Sequence, residues 1–142
     1  MTAHDFCQGD YLINSDKDLL QFPKIHQMLN ASYWANDRPN ELTERSMRHS
    51  LVFGVYYLGE QVGFARVVTD EAVVGWILDV VIDPDHRGKG LGTWLMGVIM
   101  DDAVVKGLKK VILNTKDAHG LYEKFGFKVS ANTGMMMEKK ND

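Results

Sequence analysis

The sequence predicts a single α/β domain in which helices pack on a largely antiparallel β-sheet. Hydrophobic residues have helical spacing before residue 51, whereas residues 51–82 form three β-branched and aromatic runs. Beyond residue 90, two helical patterns alternate with short apolar runs. Since 142 residues fit one core and no repeat or linker divides them, we expect one domain over residues 1–142.

The first fifty residues are predicted to form a short strand and two helical segments. Residues 11–13 are apolar enough for a first strand. Residues 18–32 have helical spacing interrupted by Pro23, which suits a first turn or a break, so one helix or two short ones are expected. The polar stretch 41–50 follows a turn-like segment and predicts a more exposed helix.

The next segments alternate between strand and helix patterns. Residues 51–58 and 61–68, separated by Gly59-Glu60, predict a hairpin, and residues 73–82 a third neighbouring strand. A helix is expected over 90–106, with Gly107 as its end, followed by a strand over 111–113 and a helix over 118–125. Residues 127–129 and 135–137 offer two last strands, which gives six to seven strands and about four helices.

Composition narrows the functional classes. A net charge of −3 without a Lys/Arg-rich block argues against nucleic-acid or anionic-membrane partners. The single cysteine, Cys7, cannot form an internal disulfide, and no apolar run approaches the roughly 20 residues that span a bilayer. We therefore expect a cytoplasmic location. No paired His or Cys has ligand spacing, so no metal is expected.

A glycine-rich segment between the third long strand and the following helix predicts an anion site. Without side chains at Gly88, Gly90 and Gly92, the backbone can approach a phosphate closely, and the free N–H groups of the first helical turn point towards it. Arg87 and Lys89 add positive charge. The spacing fits neither the Walker pattern nor the dinucleotide-binding fingerprint.

The spacing that does fit is R-x-x-G-x-G over residues 87–92, which resembles the pyrophosphate loop of the GNAT superfamily of N-acetyltransferases. Downstream, Leu-Tyr-Glu-Lys-Phe-Gly-Phe over residues 121–127 is similar to the second signature of that family, a tyrosine four residues before a Gly-Phe pair. The resemblance covers residues 51–139. It implies a mixed sheet that splays between its fourth and fifth strands, with acetyl-coenzyme A (acetyl-CoA) in the resulting V.

The resemblance also implies a set of cofactor contacts. Many relatives carry Asn seven residues before the tyrosine, whereas this chain has Thr115 there and Asn114 just before it. Asn114 is therefore the candidate for that contact. The strand residues are expected to pair with the pantetheine arm and the loop residues to bind pyrophosphate. These candidates are Val80, Val81 and Ile82 on the strand, and Arg87, Gly88, Lys89, Gly90, Leu91, Gly92 and Thr93 in the loop.

The implied activity is direct transfer of an acetyl group from acetyl-CoA to a primary amine in a ternary complex. Tyr122 is the candidate proton donor to the thiolate, because a phenol is protonated at neutral pH; its alternative is a core tyrosine. Asp79 is either a base acting through water or a residue on the exposed strand face. Trp34 and Arg38 are candidates for binding the acceptor. Arg66 and Trp76 are similar candidates on strands, for which sheet packing is the favoured alternative.

Two readings from other classes stay open. The chain could bind acyl-CoA without catalysis as a sensor, or it could be an interaction module that keeps the fold without the cofactor. Retention of all three loop glycines argues against the second. The final strands often build a dimer in such folds, so a homodimer is one expectation. The identity of the amine acceptor is not encoded in any motif.

Overall fold

The computed structural model describes residues 5–141, which form one six-stranded sheet with helices on both faces. The strands lie in chain order, and every neighbouring pair is antiparallel except β5 and β6, which are parallel. This mixed sheet with four α-helices among the described residues confirms the predicted fold class. The elements are β1 (Asp5–Gln8), β2 (Tyr11–Asn14), α1 (Phe22–Asn30), α2 (Asn40–Met47), β3 (Leu51–Tyr57), β4 (Glu60–Thr69), β5 (Val74–Ile82), α3 (Leu91–Asp101), β6 (Lys110–Ile112) and α4 (His119–Glu123).

The sheet separates two hydrophobic clusters. On one face, α1 and α2 bury Ile25, Leu29 and Met47 against residues of β3, β4 and β5. On the other face, α3 buries Leu95 and Ile99 completely. Each such side chain contributes about 1.5–3 kcal/mol by leaving water. No helix among the described residues is both long enough and apolar enough to cross a membrane.

The helical segment predicted over residues 18–32 divides in two, which is one of the two alternatives expected from the sequence. Asp16 caps a 3₁₀ turn over Lys17–Leu19 by accepting a hydrogen bond from the Asp18 backbone N–H. Pro23 then lies in the first turn of α1, where its missing N–H costs no hydrogen bond.

Helix α3 is shorter than predicted. It ends at Asp101, not at residue 106, because Asp102 leaves the helical conformation and its carboxylate accepts hydrogen bonds from the backbone of Val104 and Val105. This side chain starts a separate 3₁₀ turn, Val105–Gly107. Local competition by an Asp side chain therefore overrides the helical spacing.

The two last predicted strands do not form. Within residues 5–141, the segment 127–129 has no strand partner. Val129 and Met137 are 70% and 94% exposed, so neither segment buries an apolar face. Met135 instead ends a 3₁₀ turn, Thr133–Met135. The sequence pattern predicted five of the six observed strands but not β1. This strand pairs with β2 through a tight turn at Gly9, whose φ is +58°.

Candidate active site

The sheet splits where β5 extends beyond β6; these are the predicted fourth and fifth strands, whose numbers rise by one because β1 precedes them. The two strands pair only between Val74–Trp76 of β5 and Lys110–Ile112 of β6. From Ile77 to Ile82, β5 continues without a strand partner on that side among the described residues. Its backbone N–H and C=O groups along this stretch therefore face an opening, which we call the V. The predicted contacts Val80, Val81 and Ile82 all lie on its edge.

A β-bulge distorts β5 within this unpaired stretch. Phe64 of β4 faces Val81, whereas Arg66 faces Leu78, so Ala65 is opposite two residues, Asp79 and Val80. Asp79 has φ of +58°, a left-handed conformation that Asp tolerates better than most residues. The bulge changes the direction of the Asp79 side chain, which is only 1% exposed. Of the two alternatives considered for Asp79, the one that places it on an exposed strand face is therefore wrong.

The glycine loop, residues 87–93, follows β5 and leads into α3. Gly88 and Gly90 both have φ of +78°, and nothing lies within 4 Å of the position that a Cβ would occupy at either residue. Among the described residues, none of the six backbone N–H groups from Gly88 to Thr93 has a protein acceptor. The loop thus presents unpaired donors beside open space at the positive end of α3, which fits a phosphate group.

Aromatic residues of β2 and β3 support the glycine loop from below. The Tyr11 hydroxyl lies 2.8 Å from Nδ1 of His86 and accepts a hydrogen bond from Lys89 Nζ at 3.3 Å. The Tyr57 ring packs against both Tyr11 and His86, with centroids 4.8 and 5.1 Å apart. On the other side, Arg87 Nε donates to the Ile82 carbonyl at 3.1 Å. These contacts fix the loop relative to the sheet.

The buried Asp79 carboxylate is the centre of a polar group, partly open to solvent, that we call the Asp79 cluster: Trp34, Arg38, Arg66 and Asp79. Arg38 donates to both carboxylate oxygens, at 2.8 and 3.1 Å. Arg66 Nε donates at 2.7 Å and Trp34 Nε1 at 3.0 Å. The cluster joins the segment between α1 and α2 to the bulge of β5. It brings the predicted residues Trp34, Arg38 and Asp79 together.

The electrostatic balance at Asp79 follows from these contacts. Burial alone would raise the pKa of the carboxyl, but hydrogen bonds from Arg38 and Arg66 and their two charges outweigh it and hold the pKa below its usual 3.8. A carboxylate has about four lone-pair sites, and four donors already occupy them. Such a group is a weak base and a strong anchor.

Tyr122 approaches the same opening from α4. It is 9% exposed and packs edge-on against Phe127, with centroids 6.1 Å apart. Burial raises its pKa above the usual 10.0, and the nearby Tyr33 phenol raises it further. Tyr122 is therefore fully protonated at neutral pH. Val80 and Ile82 of β5 pack against the hydrophobic cluster that contains Tyr122, which brings α4 to the V.

Tyr33, Trp34, Arg38 and Lys116 form what we call the acceptor rim. Tyr33 meets Trp34 edge-on at 5.1 Å, and Lys116 Nζ lies 5.3 Å from the centre of the Tyr33 ring. Three of these side chains are exposed, and Arg38 is 24% exposed. An acceptor reaching Tyr122 from this side would pass an aromatic surface and two cations.

Several of these residues were missed or misjudged from the sequence. Arg66 was assigned to sheet packing, but it is a buried partner of Asp79. Tyr33 could have been found from its position beside Trp34, whereas no sequence pattern links Lys116 to it. Asn114 is exposed at the end of β6, and Thr115 caps the next turn by accepting from the Ala118 N–H at 3.0 Å.

Comparison with known proteins identifies a family. The model of the acetyltransferase (GNAT) family matches residues 17–127. A Gibberella zeae protein, named provisionally as an acetyltransferase, is 31% identical over 143 residues, covering 84% of this chain and 80% of that protein. A glucosamine 6-phosphate N-acetyltransferase of Trypanosoma brucei brucei is 45% identical over 56 residues, which cover 39% of this chain and 38% of that protein.

Solved structures agree in fold. A crystal structure from Xanthomonas campestris, assigned provisionally to the GNAT acetyltransferases, has 38% identity and a TM-score of 0.87, covering 92% of this chain and 93% of that one. An Elizabethkingia anophelis GNAT acetyltransferase with acetyl-CoA bound has 18% identity and a TM-score of 0.67, covering 87% and 79%. The second likeness shows the fold alone. The chain belongs to the GNAT family of acetyltransferases, whose members use acetyl-CoA.

Proposed function

We propose that this protein transfers an acetyl group directly from acetyl-CoA to a primary amine, with both substrates bound together. The observation that carries the proposal is the set of six unpaired N–H groups in the glycine loop, at the open end of a split sheet. This arrangement supports phosphate binding next to an edge of free backbone groups. Two contacts support the same location for the chemistry: Tyr122 belongs to the hydrophobic cluster against which Val80 and Ile82 pack, and the acceptor rim is linked to the β5 bulge through Asp79.

Acetyl-CoA supplies an activated acetyl thioester. We propose that the backbone N–H groups of residues 88–93 hold its pyrophosphate, with Arg87 and Lys89 adding charge. Val80, Val81 and Ile82 pair with its pantetheine arm through their backbone, and Asn114 lies near the other side of the V. The residues fit the group because open space surrounds Gly88 and Gly90 where a Cβ would stand.

Tyr122 is proposed as the general acid. Its raised pKa keeps the hydroxyl protonated at neutral pH, so it can deliver a proton to the sulfur that leaves the acetyl group. Backbone N–H groups near the β5 bulge are proposed to polarise the thioester carbonyl. The Tyr122 hydroxyl has no hydrogen-bond partner among the described residues, which leaves it available to donate its proton to the sulfur.

The structure favours an anchoring role for Asp79 over the base role considered from the sequence. With its lone pairs occupied and its pKa lowered, Asp79 is poorly suited to accept a proton from an amine. We propose instead that it positions Trp34 and Arg38 at the acceptor rim. The amine would then lose its proton to solvent.

The location and acceptor are also proposals. We place the reaction in the cytoplasm, because a chain with a single cysteine, Cys7, has no internal disulfide that would suit an oxidising compartment. The relative named as a glucosamine 6-phosphate N-acetyltransferase puts amino sugar phosphates in the first panel of amines. Amino acids, polyamines and peptide N-termini complete it.

Thiol release from acetyl-CoA in the presence of this panel tests the proposal. We expect amine-dependent release, and a Tyr122→Phe variant should lose roughly hundredfold or more in kcat, with its affinity for acetyl-CoA nearly unchanged. Tyr56→Phe is the matched control, because Tyr56 is equally buried and its hydroxyl has no partner among the described residues. Full turnover by Tyr122→Phe would reject the acid role. Tight acetyl-CoA binding without acetylation of any amine would favour the sensor.

A further inference from the structure

The Asp79 cluster carries more positive than negative charge. In the Asp79 cluster, the guanidinium groups of Arg38 and Arg66 face the single carboxylate of Asp79. One positive charge is therefore left without a partner inside the cluster.

Arg38 is the member of the cluster that can reach a ligand. Its side chain is 24% exposed, compared with 10% for Arg66 and 1% for Asp79. A guanidinium has five N–H donors, and the contacts of Arg38 with Asp79 use two of them. The remaining donors have no protein acceptor among the described residues. Asp79 holds this guanidinium in one orientation, which prepares it to bind a second anion.

A second cation lies on the same rim. Lys116 Nζ is held over the Tyr33 ring, and among the described residues it forms no ion pair. Tyr33 in turn contacts Trp34, whose indole donates to Asp79. Lys116 and Arg38 thus flank one aromatic surface.

The acidic residues nearby do not cancel this charge. Asp37 precedes Arg38 in the chain, and Asp117 follows Lys116. Both acidic side chains are exposed, so water and salt screen their charges. Of the two acids of α2, Glu41 is paired with Arg45, and Glu44 is hydrogen-bonded to His26 Nε2. Among the described residues, the spare donors of Arg38 and the ammonium of Lys116 have no acidic partner, so both are available to an anion at the rim.

We propose that the acceptor is an amine that also carries an anionic group, a carboxylate or a phosphate, which binds to Arg38 and Lys116. The Tyr33–Trp34 surface covers the carbon skeleton between that anion and the amine. This inference rests on the proposed acetyl transfer and names its substrate class. Polyamines and other purely cationic amines are disfavoured, because their second cationic group would face Arg38 and Lys116.

The transfer step itself leaves the anionic group unchanged. A new N–C bond forms between the amine and the acetyl carbon as the C–S bond breaks, and one amine proton passes to solvent. The Tyr122 hydroxyl protonates the departing sulfur and regains its proton from water. The products are an N-acetylated acid and free coenzyme A.

Matched pairs of amines test the substrate class. Each pair contains one acid-bearing amine and its neutral counterpart: amino acids with their amides, and glucosamine 6-phosphate with glucosamine. The measured quantity is the ratio of kcat/KM for the acid to that for the neutral member. We expect at least one pair to show a ratio of roughly ten to a hundred, the effect of a charge-assisted hydrogen bond. The amino acid and phosphate pairs distinguish a carboxylate acceptor from a phosphate acceptor.

Two variants then assign the preference to the rim. Arg38→Gln and Lys116→Gln should each reduce the ratio at least several-fold, mainly through KM of the acid member. Lys116 is exposed and holds no part of the core, so its variant should fold even if Arg38→Gln does not. Arg45→Gln is the control: it removes the same charge from an exposed position paired with Glu41, and the ratio should not change.

The outcomes separate the two proposals. Acetylation of neutral or cationic amines in preference to acid-bearing ones would overturn the substrate class and leave acetyl transfer standing. An unchanged ratio in both rim variants would also overturn it. If no amine of either kind is acetylated, acetyl transfer itself fails, and the substrate class fails with it.

Discussion

Replacing Asp79 with Asn isolates the charge at the centre of the Asp79 cluster. Asn has nearly the same shape, and it tolerates the left-handed conformation at φ of +58° as well as Asp does. The backbone of the bulge should therefore be kept. What changes is that Arg38 and Arg66 lose the carboxylate that neutralises them.

Removing one partner of a buried ion pair costs about 3–5 kcal/mol. Arg38 is partly exposed and can recover some hydration, so we expect the free energy of unfolding to fall by about 3 kcal/mol at pH 7. With an m-value of about 1.5 kcal/mol/M, the urea midpoint should fall by about 2 M. Tryptophan fluorescence during urea titration measures this shift.

The effect should depend on pH with a defined sign. Since the folded-state pKa of Asp79 is lowered, its stabilisation is fully present above about pH 5 and is lost as the pH falls below 3.8. The difference between wild type and variant should shrink over that window. Asp101→Asn serves as control, because Asp101 is exposed and its contact with Lys106 is 3.7 Å long. Equal stability of Asp79→Asn and wild type at pH 7 would refute the assignment of Asp79 as an anchor.

Two further predictions concern the loop and the acid. Tyr11→Phe removes the hydroxyl that joins His86 and Lys89, so the calorimetric Kd for acetyl-CoA should rise several-fold with little change in urea midpoint; an unchanged Kd would contradict the supporting role of Tyr11. Because burial raises the pKa of Tyr122, kcat should not fall through loss of the acid below pH 10, and a stopped-flow pH profile showing such a fall near pH 8 would contradict the raised pKa.

The sequence could predict those parts of the fold and the candidate site that depend on local pattern. The strand runs of β3, β4 and β5 follow from β-branched and aromatic residues between turn glycines. The glycine loop follows from residue types that only a close backbone approach requires, and Gly88 and Gly90 do adopt positive φ. Each of these features is encoded by residues that lie close together in the sequence.

The parts that could not be predicted depend on contacts between distant residues. Alternation along β5 gives no sign that a bulge points Asp79 inward, because the bulge arises from register with β4. The pairing of Arg38 and Arg66 with one carboxylate, 41 and 13 residues away, follows from that single change. Similarly, the apolar residues 135–137 have the composition of a strand but find no partner among the described residues.

A calorimetric titration with acetyl-CoA measures whether the cofactor binds on the glycine loop. The variant is Gly88→Ala with Gly90→Ala, and the control is Gly9→Ala with Gly59→Ala. All four glycines have positive φ and nothing within 4 Å of a Cβ, so both pairs carry a similar backbone strain of about 1–2 kcal/mol per residue.

We expect wild type and the Gly9/Gly59 control to bind acetyl-CoA with similar affinity and the Gly88/Gly90 variant to bind at least tenfold more weakly. Equal affinity of all three proteins, or no binding by the wild type, would contradict this expectation.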